Sequence, residues 1–306
     1  MSPDLSWSPS PLPLLAGALV TALYVRRWRA VRRAAGPRAG AEAPVWRLVS
    51  FCASVLVALA ALISPVDSLA DQLFFAHMVQ HVLLLDVSPI LGILGLTRVI
   101  LRPVTRAVHE LERRAGVLAH PAVALVAYIG VIWLWHIPAA YDLAVRHSGV
   151  HVLEHLSFFI VGSLYWWHLL SPIRARLRLS GLGPVAYMGA TKVFVGALGM
   201  GLAFAPSPLY PYYEHHARVW GISAISDQAI AGLIMAVEQS LIMGAALVVL
   251  FVRALAESER AQEREERYEE LRELRASGSE GPALEHPLGT AEEENAAPQV
   301  GHSGYP

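Results

Sequence analysis

Five histidines near one end of three apolar segments are the residues best suited to chemistry. His77 and His81 are four residues apart, as are His151 and His155, so each pair shares one face of a helix. His136 lies at the matching end of the segment between the two pairs. Imidazoles at this spacing commonly bind one metal ion, and imidazole suits Cu, Zn, Fe and Ni. We therefore predict a metal site at these five residues, with interfacial polar residues that bond between helices as the alternative.

Polar residues near the histidines are candidates to orient their rings. Gln80 and Glu154 lie on the same helix turns as the two pairs, and Asp142 follows His136. A metal-bound imidazole usually donates its second N–H to a carboxylate or carbonyl, so we predict that Gln80, Asp142 and Glu154 surround the ligands. Alternatively, the carboxylates of Asp142 and Glu154 attract cations electrostatically or are simply solvated charges. Met78, Met200 and Met235 could provide thioether ligands for Cu(I) or could simply pack in the interior.

Three charges fall in the middle of apolar segments: Asp86, Lys192 and Glu238. At a rise of about 1.5 Å per residue, Asp86 and Lys192 reach nearly the same depth in a membrane. Because a lone charge in hydrocarbon is costly, we predict that Lys192, the only lysine of the chain, pairs with Asp86, Glu238 or both. Such a network would lock three helices together or, alternatively, form a proton or ion path.

The distribution of charge predicts the elements that position these residues. Only 16% of the 306 residues are charged, whereas 55% are apolar, and a soluble domain has roughly 25% charged residues. The charges form short clusters and an acidic C-terminal region that begins at Arg253. This pattern argues against a soluble globular enzyme. The single Cys52 excludes a disulfide framework and a paired-cysteine metal site, and no basic, aromatic-rich pattern indicates nucleic acid.

The predicted fold is all-α: a polytopic membrane helix bundle with seven transmembrane helices. The apolar segments are residues 11–25, 46–64, 73–96, 121–140, 150–170, 184–205 and 228–252. Arginines cluster after the first, third and fifth segments, which predicts an outside N-terminus and a cytoplasmic C-terminus, with the histidines at the outer face. Six spans with a peripheral first segment are the alternative. We predict a transmembrane domain at 1–252, a charged cytoplasmic helix at 253–275 and a disordered acidic tail at 276–306.

Short motifs on these segments resemble those of a known family. They are HMVQH at 77–81, WHIP at 135–138, HVLEH at 151–155 and the DQ pair at 227–228. In this order they resemble the seven-span CtaG family of cytochrome c oxidase assembly factors from aerobic Gram-positive bacteria. The resemblance covers roughly residues 45–252 and includes all five histidines of the predicted metal site.

The resemblance implies a multi-pass metallochaperone of the bacterial plasma membrane that takes part in copper insertion into haem–copper oxidase. It implies copper as the bound metal, and oxidase subunits and the lipid bilayer as partners, without nucleic acid. The sequence shows no nucleophile–base set and no nucleotide loop, so we expect no enzyme. The alternatives are a haem-binding redox protein with His81 and His155 as axial ligands, a proton- or ion-conducting protein, and a structural scaffold for oxidase subunits.

Overall fold

The computed structural model describes residues 2–173, 179, 181–214 and 218–276, and these residues form helices and no β-strand. The α-helices are α1 (Pro11–Ala35), α2 (Ala39–Glu42), α3 (Val45–Ile63), α4 (Pro65–Ala70), α5 (Phe74–Val82), α6 (Ser88–Gly95), α7 (Arg98–Ala115), α8 (Pro121–Trp135), α9 (Pro138–Arg146), α10 (Ser148–Leu170), α11 (Gly183–Ala203), α12 (Pro211–Glu214) and α13 (Ala224–Ala276). A π-helical turn, Leu83–Val87, connects α5 directly to α6. The prediction of an all-α fold is confirmed.

Four helical stretches of the described chain are long and apolar enough to cross a membrane. They are Val45–Ile63, Phe74–Gly95, Gly183–Ala203 and Ala224–Val252. A fifth candidate is the pair Arg98–Ala119 and Pro121–Trp135, which is bent by 67°. The remaining predicted segments are helical, as α1 and α10, but they do not combine the same length and apolar composition. The chain is thus a helical membrane protein, whereas the count of seven spans and the orientation stay predictions.

The helix surfaces and interior support this assignment. Large apolar side chains point outward along α1, α3, α10, α11 and α13; examples are Leu12, Leu19, Leu56, Leu156, Val193 and Leu241. The interior instead holds histidine, glutamine, glutamate, tyrosine and tryptophan side chains. Contiguous exposed apolar surface of this extent is typical of contact with lipid. The polar residues that could do chemistry are therefore collected inside the bundle.

The fourth predicted segment, 121–140, is shorter in the structure. Helix α8 ends at Trp135, and Pro138 begins the separate helix α9. Proline disfavours the helical conformation of the residue before it, and Ile137 is extended, with φ −65° and ψ 124°. The break leaves His136 at the C-terminal cap of α8.

The stretch Phe74–Gly95, made of α5, the π-turn and α6, is the central element of the bundle. In its most apolar window 56% of the residues are buried, against 12% to 33% in the other three candidate spans. Helix α3 packs on one side of it and α10 on another. At Gly162 of α10 the two backbones are so close that an added Cβ would overlap the carbonyl oxygen of Leu85. This close approach brings the histidine pairs of α5 and α10 together.

Arginines bind backbone carbonyl groups at the opposite end of the central element. Arg47 donates from one nitrogen to the carbonyl oxygens of Leu94 and Leu96, at 2.7 and 2.6 Å. Arg27 bonds two carbonyl oxygens in the first turn of α7. The last carbonyl groups of a helix have no partner within the helix, so the guanidinium group of Arg47 satisfies the end of α6. The histidine end and the arginine end of the bundle are therefore distinct.

The chain divides into two compact units, residues 1–252 and 253–306. The described part of the second unit is the C-terminal part of α13, which is helical through Ala276 and carries mostly exposed charged side chains. Its cytoplasmic location stays a prediction. The predicted disordered tail lies, from residue 277 on, outside the described residues.

Candidate metal centre

Two helices bring four potential metal ligands to one place inside the bundle. His77 comes from α5, and His151, Glu154 and His155 come from the first two turns of α10. One ligand atom of each residue lies within 4.8 Å of those of the other three. Ligands at about 2.0–2.2 Å from one ion lie somewhat closer together than this, a difference within the reach of side-chain rotation. We call these four residues the histidine–glutamate cluster.

The side chains of this cluster are buried without hydrogen-bond partners. His77 and Glu154 are 0% exposed and His155 is 7% exposed. Within the described residues, six atoms lack a partner: both ring nitrogens of His77, both carboxylate oxygens of Glu154, and Nε2 of His151 and of His155. An unpaired buried polar group costs about 1–3 kcal/mol, and such groups are rare in folded proteins. Since an imidazole binds an ion through one nitrogen, a cation in the cluster would satisfy one nitrogen of each histidine and the carboxylate of Glu154.

His81 extends the cluster one turn deeper. Its ring centroid lies 4.3 Å from that of His77 and 5.7 Å from that of His155. The Glu154 carboxylate lies between the two imidazoles of α5, with Oε2 3.7 Å from Nε2 of His77 and Oε1 3.5 Å from Nε2 of His81. These distances are too long for strong hydrogen bonds. Both ring nitrogens of His81 are also unpartnered, so His81 is available as a further ligand.

His136 lies apart from the histidine–glutamate cluster. Its ring centroid is 6.3 Å from that of His81, and its Nδ1 lies 2.7 Å from the carbonyl oxygen of Ile132. A carbonyl only accepts, so Nδ1 carries the proton and Nε2 of the neutral ring is bare. That bare nitrogen faces Sδ of Met78 at 3.2 Å. The structure thus gathers four of the five predicted histidines and places the fifth beside a thioether.

The residues predicted to surround the ligands have different partners. Gln80 donates to the carbonyl oxygen of Ala61 at 2.7 Å and to Oδ1 of Asp67 at 2.9 Å, and so ties α5 to α3 and α4. Asp142 lies 3.5 Å from Arg146 on its own helix. Neither forms a hydrogen bond to a histidine of the cluster within the described chain. Glu154, in contrast, lies among the ligand atoms themselves.

An aromatic cover over the cluster was missed by the sequence analysis. It consists of Phe74, Tyr141, Tyr210 and Tyr213. The ring of Tyr141 lies 5.1 Å from that of His77. The hydroxyl of Tyr213 donates to the carbonyl oxygen of Ala70 at 2.7 Å and accepts from Tyr141 at 2.9 Å. Burial raises the pKa of Tyr213, so the phenol stays neutral. The cover therefore shields the cluster without adding charge.

Asp227 and Gln228, the DQ pair, hold in place the elements that surround the site. The carboxylate of Asp227, on α13, accepts the backbone N–H groups of Phe74 at 2.8 Å and Phe75 at 2.9 Å. Helix α5 has no capping side chain of its own, so Asp227 caps it from a distant part of the sequence. Gln228 accepts the N–H of Leu209 at 2.7 Å, which fixes the loop before α12.

Lys192 forms hydrogen bonds where the sequence predicted an ion pair with Asp86, Glu238 or both. Its Nζ donates to the carbonyl oxygen of Ala236 at 2.8 Å and to Oγ of Ser240 at 2.5 Å, both on α13. The described residues contain no ion pair between Lys192 and either Asp86 or Glu238. Lys192 thus faces α13, the helix that carries Glu238, and interacts with that carboxylate electrostatically without an ion-pair contact.

Asp86 is held by uncharged donors instead. Its Oδ1 accepts the indole N–H of Trp166 at 2.7 Å, and its two oxygens lie 2.8 and 3.1 Å from the hydroxyl of Tyr128. Asp86 is 1% exposed. Trp166 of α10 thus binds the buried carboxylate that lies below the histidines.

A comparison with known protein families shows to which family the chain belongs. The model of the cytochrome c oxidase caa3 assembly factor family (Caa3_CtaG) matches residues 22–257. The chain belongs to this family. The match includes every histidine of the candidate centre, the aromatic cover, Asp86 and Asp227. Membership of the assembly factor family confirms the resemblance seen in the motifs, while its residue roles stay predictions.

Three similar proteins are longer proteins from mycobacteria. An uncharacterized protein of Mycobacterium leprae is 23% identical over 252 residues, which cover 76% of this chain and 37% of the relative. Uncharacterized proteins of Mycobacterium bovis and Mycobacterium tuberculosis are each 25% identical over 278 residues, covering 83% of this chain and 40% of the relative. The chain therefore spans about two fifths of the length of these relatives. No solved structure matches it.

Proposed function

We propose that this protein is a membrane assembly factor of cytochrome c oxidase that binds copper as its cargo and aids its insertion into the oxidase. The observation that carries the proposal is the histidine–glutamate cluster, in which four ligand atoms lie within 4.8 Å of one another and each residue has a buried atom without a hydrogen-bond partner. Family membership supplies the oxidase as the partner, and haem–copper oxidases need copper. Neither observation alone would name both the cargo and its destination.

The chemistry of the cluster supports copper. Three imidazoles and one carboxylate form a nitrogen and oxygen donor set, which suits Cu(II) and also Zn. His77, His151 and His155 would bind the ion, and Glu154 would add an oxygen ligand and offset its charge. The neutral aromatic cover would keep bulk water out until transfer.

The remaining parts of the proposal follow from the sequence and the family. The positive-inside pattern predicts that the cluster lies near the outer face of a bacterial plasma membrane, where it would meet the partner oxidase subunit. The protein would act as a metallochaperone and catalyse no reaction. Haem with His81 as an axial ligand is not favoured, because the cavity beside His81, which His155 does not line, has a volume of about 30 Å³, far less than a porphyrin needs.

Elemental analysis of the purified full chain tests the proposal. We expect about one tightly bound copper per chain from the histidine–glutamate cluster in copper-loaded, desalted protein. The double variant His77→Asn with His155→Asn should lose at least about tenfold in copper affinity, because it removes two of the four ligands. His147→Asn is the matched control, since this exposed histidine precedes α10 and lies outside the cluster.

Two measurements make the result decisive. Thermal unfolding of each variant shows whether the double variant still folds, and the content of active oxidase in cells that express each variant as their only copy reports the function. Equal copper in the wild type and the folded double variant would refute the assignment of the site. Normal oxidase content in cells with the copper-free variant would refute the proposed role of the bound copper.

A further inference from the structure

We propose a second, softer metal site below the histidine–glutamate cluster, in which Sδ of Met78 and Nε2 of His136 bind Cu(I). This inference rests on the proposed function, because it assumes that copper enters the bundle. It assigns His136, the fifth predicted histidine, to a separate ion and not to the ion of the histidine–glutamate cluster. The two sites would differ in ligand type, with nitrogen and oxygen donors in the first and nitrogen and sulfur donors in the second.

The facing lone pairs of Met78 and His136 are the first argument. The bond from Nδ1 of His136 to Ile132 leaves Nε2 without a proton, and this nitrogen faces the thioether sulfur at 3.2 Å. Both atoms are acceptors, so no hydrogen bond joins them. Met78 is 1% exposed and His136 is 6% exposed, so water does not separate the pair. A soft cation that lies beside the line joining these two unprotonated donors would bind both of them.

A small cavity provides room for this ion. Its volume is about 30 Å³. Among its lining residues are Met78, His81, His136, Asp86, Met235 and Glu238. A void of about 10–15 Å³ on this measure holds one water molecule, so the cavity accommodates an ion with at most one or two waters. Met200, the third methionine suggested from the sequence, is 46% exposed and does not line the cavity.

The charge of the cavity wall is the second argument. The carboxylate of Asp86 is bonded by uncharged donors, and Oε1 of Glu238 is buried without a hydrogen-bond partner. Lys192 interacts with Glu238 while bonded to α13, so this single cation balances at most one of the two carboxylates. No arginine or lysine lines the cavity among the described residues. A buried carboxylate without a cationic partner is costly, and a bound cation would offset that cost.

His81 connects the two sites. Its ring lies 5.7 Å from that of His155 in the upper cluster and 6.3 Å from that of His136 in the lower one. Both of its nitrogens are buried and unpartnered, so it can serve as a ligand toward either side. The geometry therefore supports passage of an ion between the sites by exchange of ligands at His81.

Competition for Cu(I) with a chromophoric chelator tests the lower site. The purified full chain is titrated without oxygen, and the same samples are studied by X-ray absorption at the copper edge. Met78→Leu removes the sulfur and keeps the volume, a change that costs less than about 1.5 kcal/mol in a core. Met188→Leu is the matched control, because Met188 is equally buried in α11 and does not line the cavity.

We expect wild-type protein and Met188→Leu to bind Cu(I) with sulfur in its coordination shell. Met78→Leu should lose the sulfur signal and bind Cu(I) at this site about 10–100-fold more weakly, as for the loss of a metal-supporting group. Copper binding with no sulfur signal, or unchanged Cu(I) affinity in Met78→Leu, would overturn the lower site while leaving the upper cluster intact. Wild-type protein that binds no copper in either oxidation state would overturn both.

Discussion

The cap that Asp227 places on α5 gives the sharpest test of how the site is positioned. The change is Asp227→Asn, which keeps the size of the side chain. The carboxylate is 3% exposed and accepts two backbone N–H groups, at 2.8 and 2.9 Å, at the start of the helix that carries His77 and His81. The amide of asparagine keeps one accepting oxygen and turns an NH₂ group toward the second N–H. One hydrogen bond is kept and the other becomes a contact between two donors.

The magnitude follows from these contacts. A hydrogen bond to a charged group contributes about 1.5–3 kcal/mol, and a negative charge at a helix N-terminus adds about 0.3–1 kcal/mol. Asp227→Asn should therefore lower the free energy of unfolding by about 2–4 kcal/mol. At about 2–4 °C per kcal/mol for a chain of this size, the melting temperature should fall by about 4–16 °C. Copper affinity should fall as well, because α5 loses its fixed starting point.

Thermal unfolding of the purified protein in detergent measures this effect. Asp142→Asn is the control, since Asp142 lies 3.5 Å from the half-exposed Arg146 and such a pair contributes about 0–1 kcal/mol. A shift of less than about 2 °C in Asp227→Asn, or a shift equal to that of the control, would show that the cap does not hold α5.

Two further substitutions test the packing around the site. Gly162→Ala should lower the free energy of unfolding by about 1–3 kcal/mol, because its Cβ would overlap the carbonyl of Leu85, whereas Gly130→Ala, with open space around it, should not. Trp166→Phe removes the indole N–H that bonds Asp86 and should cost about 1.5–3 kcal/mol. Both are measured by thermal unfolding; stability equal to wild type in Gly162→Ala, or in Trp166→Phe, would contradict the respective contact.

Local patterns in the sequence were sufficient to predict the helices and the main candidate ligands. Spacing of four residues placed His77 with His81 and His151 with His155, since helical periodicity alone determines a shared face. The common depth of the two pairs followed from counting residues along apolar segments. What brings them together, the close approach of α10 at Gly162, depends on packing between helices that no local pattern encodes.

Partners distant in the sequence were the part that could not be predicted. Depth suggested Lys192 as the partner of Asp86, but depth does not give the rotation of a helix about its axis. Lys192 faces α13, and Asp86 faces the aromatic donors Tyr128 and Trp166. The same limit applies to Gln80, which shares a turn with the histidines but points toward α3 and α4.

The π-turn at Leu83–Val87 fixes the number of residues that this part of the chain must contain. In a regular α-helix a residue five positions on is rotated by about 140°, but the wider π-turn returns it to nearly the same face. His81 and Asp86 can therefore line one cavity. Removal of a single residue from the turn would rotate one half of the helix against the other by about 100°. Either the histidines or the contacts of α6 with α3 would then be lost, so homologues should vary here in residue type and keep the spacing.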